Sequence, residues 1–263
     1  MDGDGRVLKA AADLLEAGEA FVLVTVVKTQ GSTPRDAGAR LLWRPGSDTE
    51  LGELLGTVGG GQFEHLVLES ARWCFEHKAH KMEQFVLGSD ADQCCGGTMD
   101  VFLEYHGLSA RLVVFGAGHV AKALCDLLAF AALEVIVADD RPEWNSAARF
   151  PGARRIMDWG EAVAVAQERG AETMACVMTC SHDTDLDLLR SLLVKPPVFV
   201  GLIGSRSKRA CLFGRLVAAG IDEGVVARVH CPIGVGDTGK EPRAVAVSMA
   251  AQLLMEASTL ACA

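Results

Sequence analysis

The stretch Leu112-Val113-Val114-Phe115-Gly116-Ala117-Gly118-His119-Val120-Ala121 decides the fold of the C-terminal half. An apolar strand runs there into a G-x-G-x-x-A turn, which opens a helix reaching about Phe130. A second apolar strand, Glu134 to Ala138, leads to Asp139, which stands 23 residues after Gly116, about where a ribose-binding acid belongs. This order of strand, turn, helix, strand and acid predicts a Rossmann unit. The cofactor contacts expected in this segment are Gly116, Gly118, His119, Asp139 and Arg141.

Further strands alternate with helices after this stretch, as in a parallel α/β sheet. They are strand Thr173 to Thr179, helix Asp183 to Leu193, strand Val198 to Ile203, helix Ser205 to Ala219 and a closing helix Ala244 to Ala257. Ligands of such sheets bind outside the carboxyl ends of the strands, where Ser205, Lys208 and Arg209 are placed. Cations in the first turn of a helix oppose its dipole, so Lys208 and Arg209 favour a bound anion. The alternative is that Ser205 and Asp183 simply cap their helices.

The N-terminal half combines a helix, Val7 to Ala17, with a β-rich run and a glycine-rich loop. Gly59, Gly60 and Gly61 open an amphipathic helix that runs from Gln62 to His77. Free N–H groups and the helix dipole make such a loop an anion site, and a tight packing turn is the alternative. The predicted fold class is α/β, with an N-terminal α+β domain over residues 1–107. A Rossmann-like, doubly wound parallel-sheet domain follows over residues 110–263.

Two adjacent cysteines stand out in the stretch Gln93-Cys94-Cys95-Gly96-Gly97, just before an apolar strand. Soft thiolates beside exposed backbone N–H groups suit a soft metal or a sulfur-bearing anionic ligand. A small apolar dipeptide that enters a sheet is the alternative. Among the other cysteines, the apolar patterns around Cys125, Cys176 and Cys211 predict core positions. The sequence has no Cys-x-x-Cys pair and no His/Cys cluster with zinc spacing.

The composition narrows the classes of function. With 263 residues, of which 50% are hydrophobic and 22% charged, the chain can bury a large core and is not disordered. A net charge of −9 argues against binding to nucleic acid or to an anionic membrane surface. No apolar run has the length of a membrane span, and no secretory signal is visible at the acidic N-terminus. Nine cysteines in such a chain favour a cytoplasmic protein with free thiols.

Six ordered motifs between about residue 21 and residue 257 resemble the XdhC family, the accessory proteins that mature xanthine dehydrogenase. They are Gly31-Ser32-Thr33-Pro34-Arg35, Gly56-Thr57-Val58-Gly59-Gly60-Gly61, Gln93-Cys94-Cys95-Gly96-Gly97, Gly116-Ala117-Gly118-His119-Val120, Gly201-Leu202-Ile203-Gly204-Ser205 with Lys208-Arg209, and Cys231-Pro232-Ile233-Gly234 with Gly239-Lys240-Glu241-Pro242. In the related CoxI-type branch a cysteine often stands at the place of Gln62. The resemblance is therefore closer to the xanthine dehydrogenase branch.

The resemblance implies a chaperone for molybdenum cofactor, in its molybdopterin form, with no turnover of its own. Its implied partners are a cysteine desulfurase, which helps replace an oxo ligand by sulfur, and the molybdenum-binding subunit of apo-xanthine dehydrogenase; a homodimer is left open. The glycine loops and the residues from Ser205 to Arg209 would hold phosphate and pterin. Cys94, Cys95 or Cys231 would contact molybdenum or relay sulfur as a persulfide, with Cys95 the first candidate. The alternative is an NAD(P)-dependent oxidoreductase that uses the Gly116 turn and Asp139.

Overall fold

The computed structural model describes residues 3–46, 52–88, 96–108 and 110–261. The chain divides into two compact units, Met1–Leu108 (unit 1) and Ser109–Ala263 (unit 2). Unit 1 contains an antiparallel sheet with two helices, and unit 2 contains a parallel sheet with helices on both faces. These architectures confirm the fold class that the sequence predicts.

Unit 1 is built on a five-stranded sheet in the order β3-β2-β1-β5-β4, with every neighbouring pair antiparallel. Its elements are α1 (Gly3–Ala17), β1 (Phe21–Gln30), β2 (Arg40–Arg44), β3 (Glu53–Gly56), α2 (Gly61–Glu76), β4 (Lys81–Val86) and β5 (Thr98–His106). Alternate residues of β1 serve opposite faces, as the period of a strand requires. Val22 and Val24 join the core under α2, whereas Phe21 packs with Val7 of α1. The two helices therefore cover opposite faces of the sheet.

Unit 2 has a five-stranded parallel sheet in the order β10-β9-β6-β7-β8. Its elements are β6 (Ala110–Phe115), α3 (His119–Leu128), β7 (Leu133–Ala138), β8 (Arg154–Ile156), α4 (Trp159–Glu168), a 3₁₀ turn (Gly170–Glu172), β9 (Thr173–Val177), α5 (His182–Leu192), β10 (Phe199–Leu202), α6 (Arg206–Ala218), α7 (Glu223–Ala227) and α8 (Pro242–Ala261). Every residue of β6, β9 and β10 is buried, as expected for parallel strands that helices cover on both faces. Helices α3 and α8 contribute to the core on one face, and α4 to α7 to the core on the other.

Several local predictions need correction. Ser205 caps α6, as one reading of the sequence has it, by accepting a hydrogen bond from Lys208 N at 3.2 Å. Asp183 does not cap α5, because the helix begins one residue earlier and Ser181 accepts from Thr184 N. The core prediction for Cys211 is wrong: its side chain is exposed, since α6 turns other positions toward the sheet. Cys176 is buried and Cys125 is partly buried.

Candidate functional site

Three of the sequence motifs meet at one junction in unit 1, which we call the glycine junction (residues 31–34, 59–60 and 96–97). A Cβ atom on Gly31 would stand 3.1 Å from Gly97 Cα, and one on Gly97 would stand 2.4 Å from the carbonyl oxygen of Ser32. A Cβ on Gly59 would stand 2.6 Å from Cγ of Pro34. Real Cβ atoms essentially never make contacts below 3.0 Å, so close packing of the loops requires Gly59 and Gly97. The φ of +74° favours glycine at position 31.

Two other glycines of the junction have a different environment. A Cβ on Gly60 or on Gly96 would meet no atom of the described residues within 4 Å. Gly60 has a φ of +75°, a backbone conformation that favours glycine, so its residue type has an internal explanation. The space beside both glycines would still let a ligand approach the backbone. Gln62, the second residue of α2, is exposed, as is Gly61.

The start of α2 already holds a carboxylate from its own first turn. Oε2 of Glu64 accepts hydrogen bonds from Thr57 Oγ1 at 2.5 Å, from Val58 N at 3.2 Å and from Gly60 N at 3.3 Å. A carboxylate is favourable there because it faces unpaired N–H groups and the positive end of the helix dipole. An internal carboxylate thus fills at least part of the place where the sequence predicts a bound anion, and the binding of a ligand anion by this loop stays a prediction.

Gln93, Cys94 and Cys95 lie outside the described residues, so the role expected of this thiol pair stays a prediction. The two glycines that follow are described: Gly97 accepts a hydrogen bond from Leu87 N at 2.9 Å through its carbonyl oxygen. In the part of the chain that the structure describes, no three His, Cys, Asp or Glu side chains converge to hold a metal ion.

In unit 2, the loops that follow β6, β7, β9 and β10 lie at one end of the sheet, which we call the carboxyl edge. Gly116, with φ of +110°, packs so tightly that a Cβ would stand 2.5 Å from the carbonyl oxygen of Met178. Gly118 precedes α3 as its N-cap, and a Cβ there would meet no atom within 4 Å in the part of the chain that the structure describes. Of these two glycines, only Gly118 leaves room for a ligand.

Asp139 sits at the end of β7, where its predicted role is to bind a ribose. Its side chain is 2% exposed and accepts four hydrogen bonds, from Ala117 N at 2.7 Å and from N, Nε and Nη2 of Arg141 at 3.0, 2.8 and 2.7 Å. A carboxylate offers about four acceptor sites, so internal donors already occupy all of them. Burial alone would raise the pKa of Asp139, but the hydrogen bonds from Arg141 and Ala117 outweigh it and lower the pKa.

Aromatic and cationic side chains surround Trp144 next to this pair. The guanidinium carbon of Arg141 lies 5.2 Å from the Trp144 ring and that of Arg149 lies 4.8 Å from it. The ring of His119, the first residue of α3, meets Trp144 edge-on at 5.3 Å. Arg149 also donates from Nη2 to the carbonyl oxygen of Ala117 at 3.1 Å. Arg141 is thus engaged by Asp139 and Trp144 within the unit.

Lys208 has a different partner from the bound anion that its sequence position favours. Its Nζ donates to Asp185 Oδ2 at 2.5 Å and to the carbonyl oxygen of Ile203 at 2.9 Å, and the two side chains are 10% and 0% exposed. Oδ1 of Asp185 accepts from N and Oγ1 of Thr179 at 3.0 and 2.7 Å. The charge of Lys208 at the helix start is therefore matched by a buried carboxylate. Arg209 lies over the ring of Phe213 at 5.0 Å.

The cysteines of unit 2 divide by exposure. Cys231 is 5% exposed within the hydrophobic core, and burial raises the pKa of its thiol, against the opposing effect of Lys208 and Arg209. A buried thiol that resists ionisation is a poor ligand or sulfur carrier. Cys180 is exposed on the loop after β9 at the carboxyl edge. The sequence reasoning missed Cys180, although its place between a buried strand and the cap Ser181 was readable.

Comparisons with known proteins follow the same division of the chain. The fold defines a class of two-domain proteins. In this class, an antiparallel-sheet domain with a glycine-rich loop comes before a Rossmann domain. The profile of the XdhC Rossmann domain matches residues 112–253, and the profile of the XdhC and CoxI family matches residues 14–86. The chain belongs to the XdhC family, which confirms the resemblance drawn from its six motifs.

Curated relatives are longer than this chain. The chain is 29% identical over 253 residues to the uncharacterized protein YqeB of Escherichia coli (strain K12), with 95% of the chain and 46% of YqeB covered. It is 25% identical over 158 residues to a probable xanthine dehydrogenase subunit of Bacillus subtilis (strain 168), with 60% and 46% covered. The matches thus span about half the length of either relative.

A solved structure shares the fold over both units. The crystal structure of a protein from Bacillus halodurans, described as a xanthine dehydrogenase, matches with a TM-score of 0.50 and 19% identity, covering 98% of this chain and 96% of that one.

None of the helices in the described ranges combines the length and the apolar character needed to cross a bilayer.

Proposed function

We propose that this protein takes part in the maturation of xanthine dehydrogenase by binding molybdenum cofactor, supporting its sulfuration and delivering it to the apo-enzyme. In this role a cysteine desulfurase supplies the sulfur, and the protein has no turnover of its own. Membership in the XdhC family over both units supports the role, as does the similarity to a relative named as a xanthine dehydrogenase subunit. The observation that carries the proposal is the glycine junction, where three family motifs meet.

The residues of the junction fit the chemistry of this cargo. Molybdopterin carries a phosphate, and the N–H groups at the start of α2 already hold a carboxylate, so negative charge is favourable there. Among the described residues, Gly60 and Gly96 leave open space for a close approach. Soft thiolates such as Cys94 and Cys95 suit molybdenum. When bound, the cofactor supplies a molybdenum centre whose oxo ligand is exchanged for sulfur. Cys231 is not proposed as a direct contact because it is buried.

The first experiment measures what the protein carries. Protein purified without air from cells that make the cofactor is expected to hold molybdenum and a fluorescent pterin in near-equal amounts to the chain. It is also expected to leave NADH unoxidised. If no molybdopterin is retained at micromolar concentrations while NAD binds tightly and a hydride acceptor is reduced, the maturation role is refuted.

The environment of Asp139 is the main observation against the oxidoreductase alternative. Its four acceptor sites are filled by Ala117 and Arg141, so a ribose hydroxyl would have to displace an internal donor. Titration with NAD and NADP tests the point directly. The expected result is no saturable binding at micromolar concentrations.

A matched pair of glycine variants asks which loop contacts the cargo. Neither Gly96→Ala nor Gly118→Ala places a Cβ within 4 Å of another atom of the described residues, and Gly118 has an ordinary negative φ. Both variants are therefore expected to fold. We expect Gly96→Ala to lose cofactor retention and Gly118→Ala to keep it; the opposite result would move the cargo from unit 1 to unit 2.

A pair of cysteine variants tests the thiol role. Cys95→Ala is expected to reduce cofactor retention or sulfur loading, read out by reconstitution of apo-xanthine dehydrogenase. Cys125→Ala is the control, because burial raises the pKa of Cys125 to about 12 and keeps its thiol unreactive. It should cost only stability, by roughly 1–2 kcal/mol. Equal reconstitution by the two variants would remove Cys95 from the mechanism.

A further inference from the structure

We propose that a cavity in unit 2, between the starts of α3 and α8, binds the phosphate or diphosphate group of a small organic phosphate. The cavity has a volume of about 370 Å³. This lies within the usual range for small-molecule sites and leaves room for more than a bare phosphate ion. One wall is a single face of α3, with His119, Lys122 and Asp126 at helical spacing. The proposal does not depend on the maturation role.

The side chains that line the cavity carry more positive than negative charges. Lys122, Arg149 and Arg243 face two carboxylates, Asp126 and Glu241. The Lys122 ammonium group is already bound by both oxygens of Asp126, and Oε2 of Glu241 accepts from Ala244 N at 2.8 Å at the start of α8. The two guanidinium groups therefore remain as the donors that a ligand would meet. A guanidinium group can donate two parallel hydrogen bonds to the oxygens of one phosphate group. The positive end of an adjoining helix adds to the attraction.

Arg149 carries the most direct sign of a missing acceptor. Its Nη2 donates to the carbonyl oxygen of Ala117 at 3.1 Å, and its guanidinium plane lies over Trp144. Its Nε is buried and finds no hydrogen-bond acceptor among the described residues. A buried donor without a partner is unfavourable, so such a group in a native structure calls for an acceptor. Arg149 lines the cavity, and its contacts with Ala117 and Trp144 hold its guanidinium group in place. A phosphate in the cavity would therefore meet a guanidinium group that packing has already positioned.

The test is calorimetric titration of the purified full chain with pyrophosphate at low salt. We expect saturable binding of one equivalent, weakened about ten- to a hundredfold by Arg243→Ala, because a charge-assisted contact is lost. Arg243 is exposed, so its variant should fold. The control is Arg190→Ala, which removes the same charge from the exposed end of α5. It should weaken binding less than about twofold, the scale of a screened surface charge.

Arg149→Lys provides a second variant, which keeps the positive charge but lacks the Nε donor. We expect it to weaken binding as well, provided that its thermal unfolding stays close to that of the wild type. Absence of saturable heat up to about 10 mM pyrophosphate, well beyond the millimolar limit of a useful site, would overturn the proposal. Equal weakening by Arg243→Ala and Arg190→Ala would also overturn it, because only the overall charge would then matter. Neither result bears on molybdopterin retention, which is measured separately.

Discussion

In both units, carboxylate side chains accept hydrogen bonds from loop residues, but these carboxylates differ in their burial and in the charge of their partners. At the carboxyl edge of unit 2, Asp139 and Asp185 are 2% and 0% exposed, and each is tied to a cation and to a neighbouring loop. In unit 1, Glu64 is half-buried and comes from the helix whose start it fills; no salt bridge involves it among the described residues. Cations thus hold the carboxylates of unit 2, whereas neutral O–H and N–H donors hold Glu64 in unit 1. Under our proposal, an incoming anion would therefore displace Glu64 more easily than Asp139 or Asp185.

The largest expected effect comes from breaking the Asp185–Lys208 pair. Asp185→Asn leaves a buried ammonium group without its counter-charge, which typically costs about 3–5 kcal/mol. The control is Asp183→Asn on the same helix, whose partner Arg215 is also on α6 but whose side chains are 81% and 49% exposed. That change should cost at most about 1 kcal/mol. Urea unfolding at neutral pH measures both, and similar losses would show that burial does not distinguish the two pairs.

The next effect is expected at Asp139 and depends on pH. Asp139→Asn should cost about 1.5–3 kcal/mol at neutral pH, the usual value for hydrogen bonds to a charged group. The folded-state pKa is lowered, so this stabilisation is present above the unfolded-state pKa of about 3.9 and is lost as the pH falls through the folded-state value. Urea midpoints of wild type and variant should therefore converge below about pH 4. A difference that persists unchanged into acid would contradict the ionic role of Asp139.

Glu64→Gln should have a smaller effect on stability. The amide oxygen of Gln can still accept from the loop, so we expect a loss of about 0.5–1.5 kcal/mol. Glu69→Gln on the exposed side of the same helix is the control and should change little. Removal of the negative charge should leave cofactor retention equal or higher. If Glu64→Gln lowered the free energy of unfolding as much as Asp139→Asn does, the carboxylates of the two units would not differ in their contribution to stability.

The smallest change in the free energy of unfolding is expected at an exposed position of unit 2, Cys211. Cys211→Ser replaces an exposed thiol and should change the free energy of unfolding by no more than about 0.5 kcal/mol. Cys176→Ser, by contrast, introduces a hydroxyl into a fully buried strand and should be clearly destabilising. Urea midpoints measure both variants, and equal losses would contradict the exposed position of Cys211.

The sequence predicted the elements whose pattern is strong and local. Strand β6, helix α3 and strand β7 follow from an apolar run, a glycine turn and a second apolar run. Helix α4 was missed because its alternation of Ala and Val has the period of a strand, even though Asp158 is a readable N-cap. Strands β3 and β8 are short edge strands containing charged residues, which periodicity cannot detect.

The partners of charged side chains were the part that the sequence could not supply. Two cations near a helix start indicate that some negative charge is close, but not whether it is a ligand or a carboxylate 23 positions away, as for Lys208 and Asp185. The role of Glu64 was more accessible, because an acid in the first turn of a helix commonly binds the N–H groups there. The glycines needed structure too: Gly96 and Gly97 look alike in sequence, yet only Gly97 is packed against a neighbouring loop.

Ala117 is held from two directions, since its N–H is bound by Asp139 and its carbonyl oxygen by Arg149. One residue thus connects the carboxyl edge with the cavity at the start of α3. If ligand binding in the cavity changed the hydrogen bond from Arg149 to Ala117, we would expect an effect on the hydrogen bond from Ala117 to Asp139. By thermodynamic reciprocity, protonation of Asp139 would then change the affinity of the cavity by the same factor, without any larger movement of the sheet.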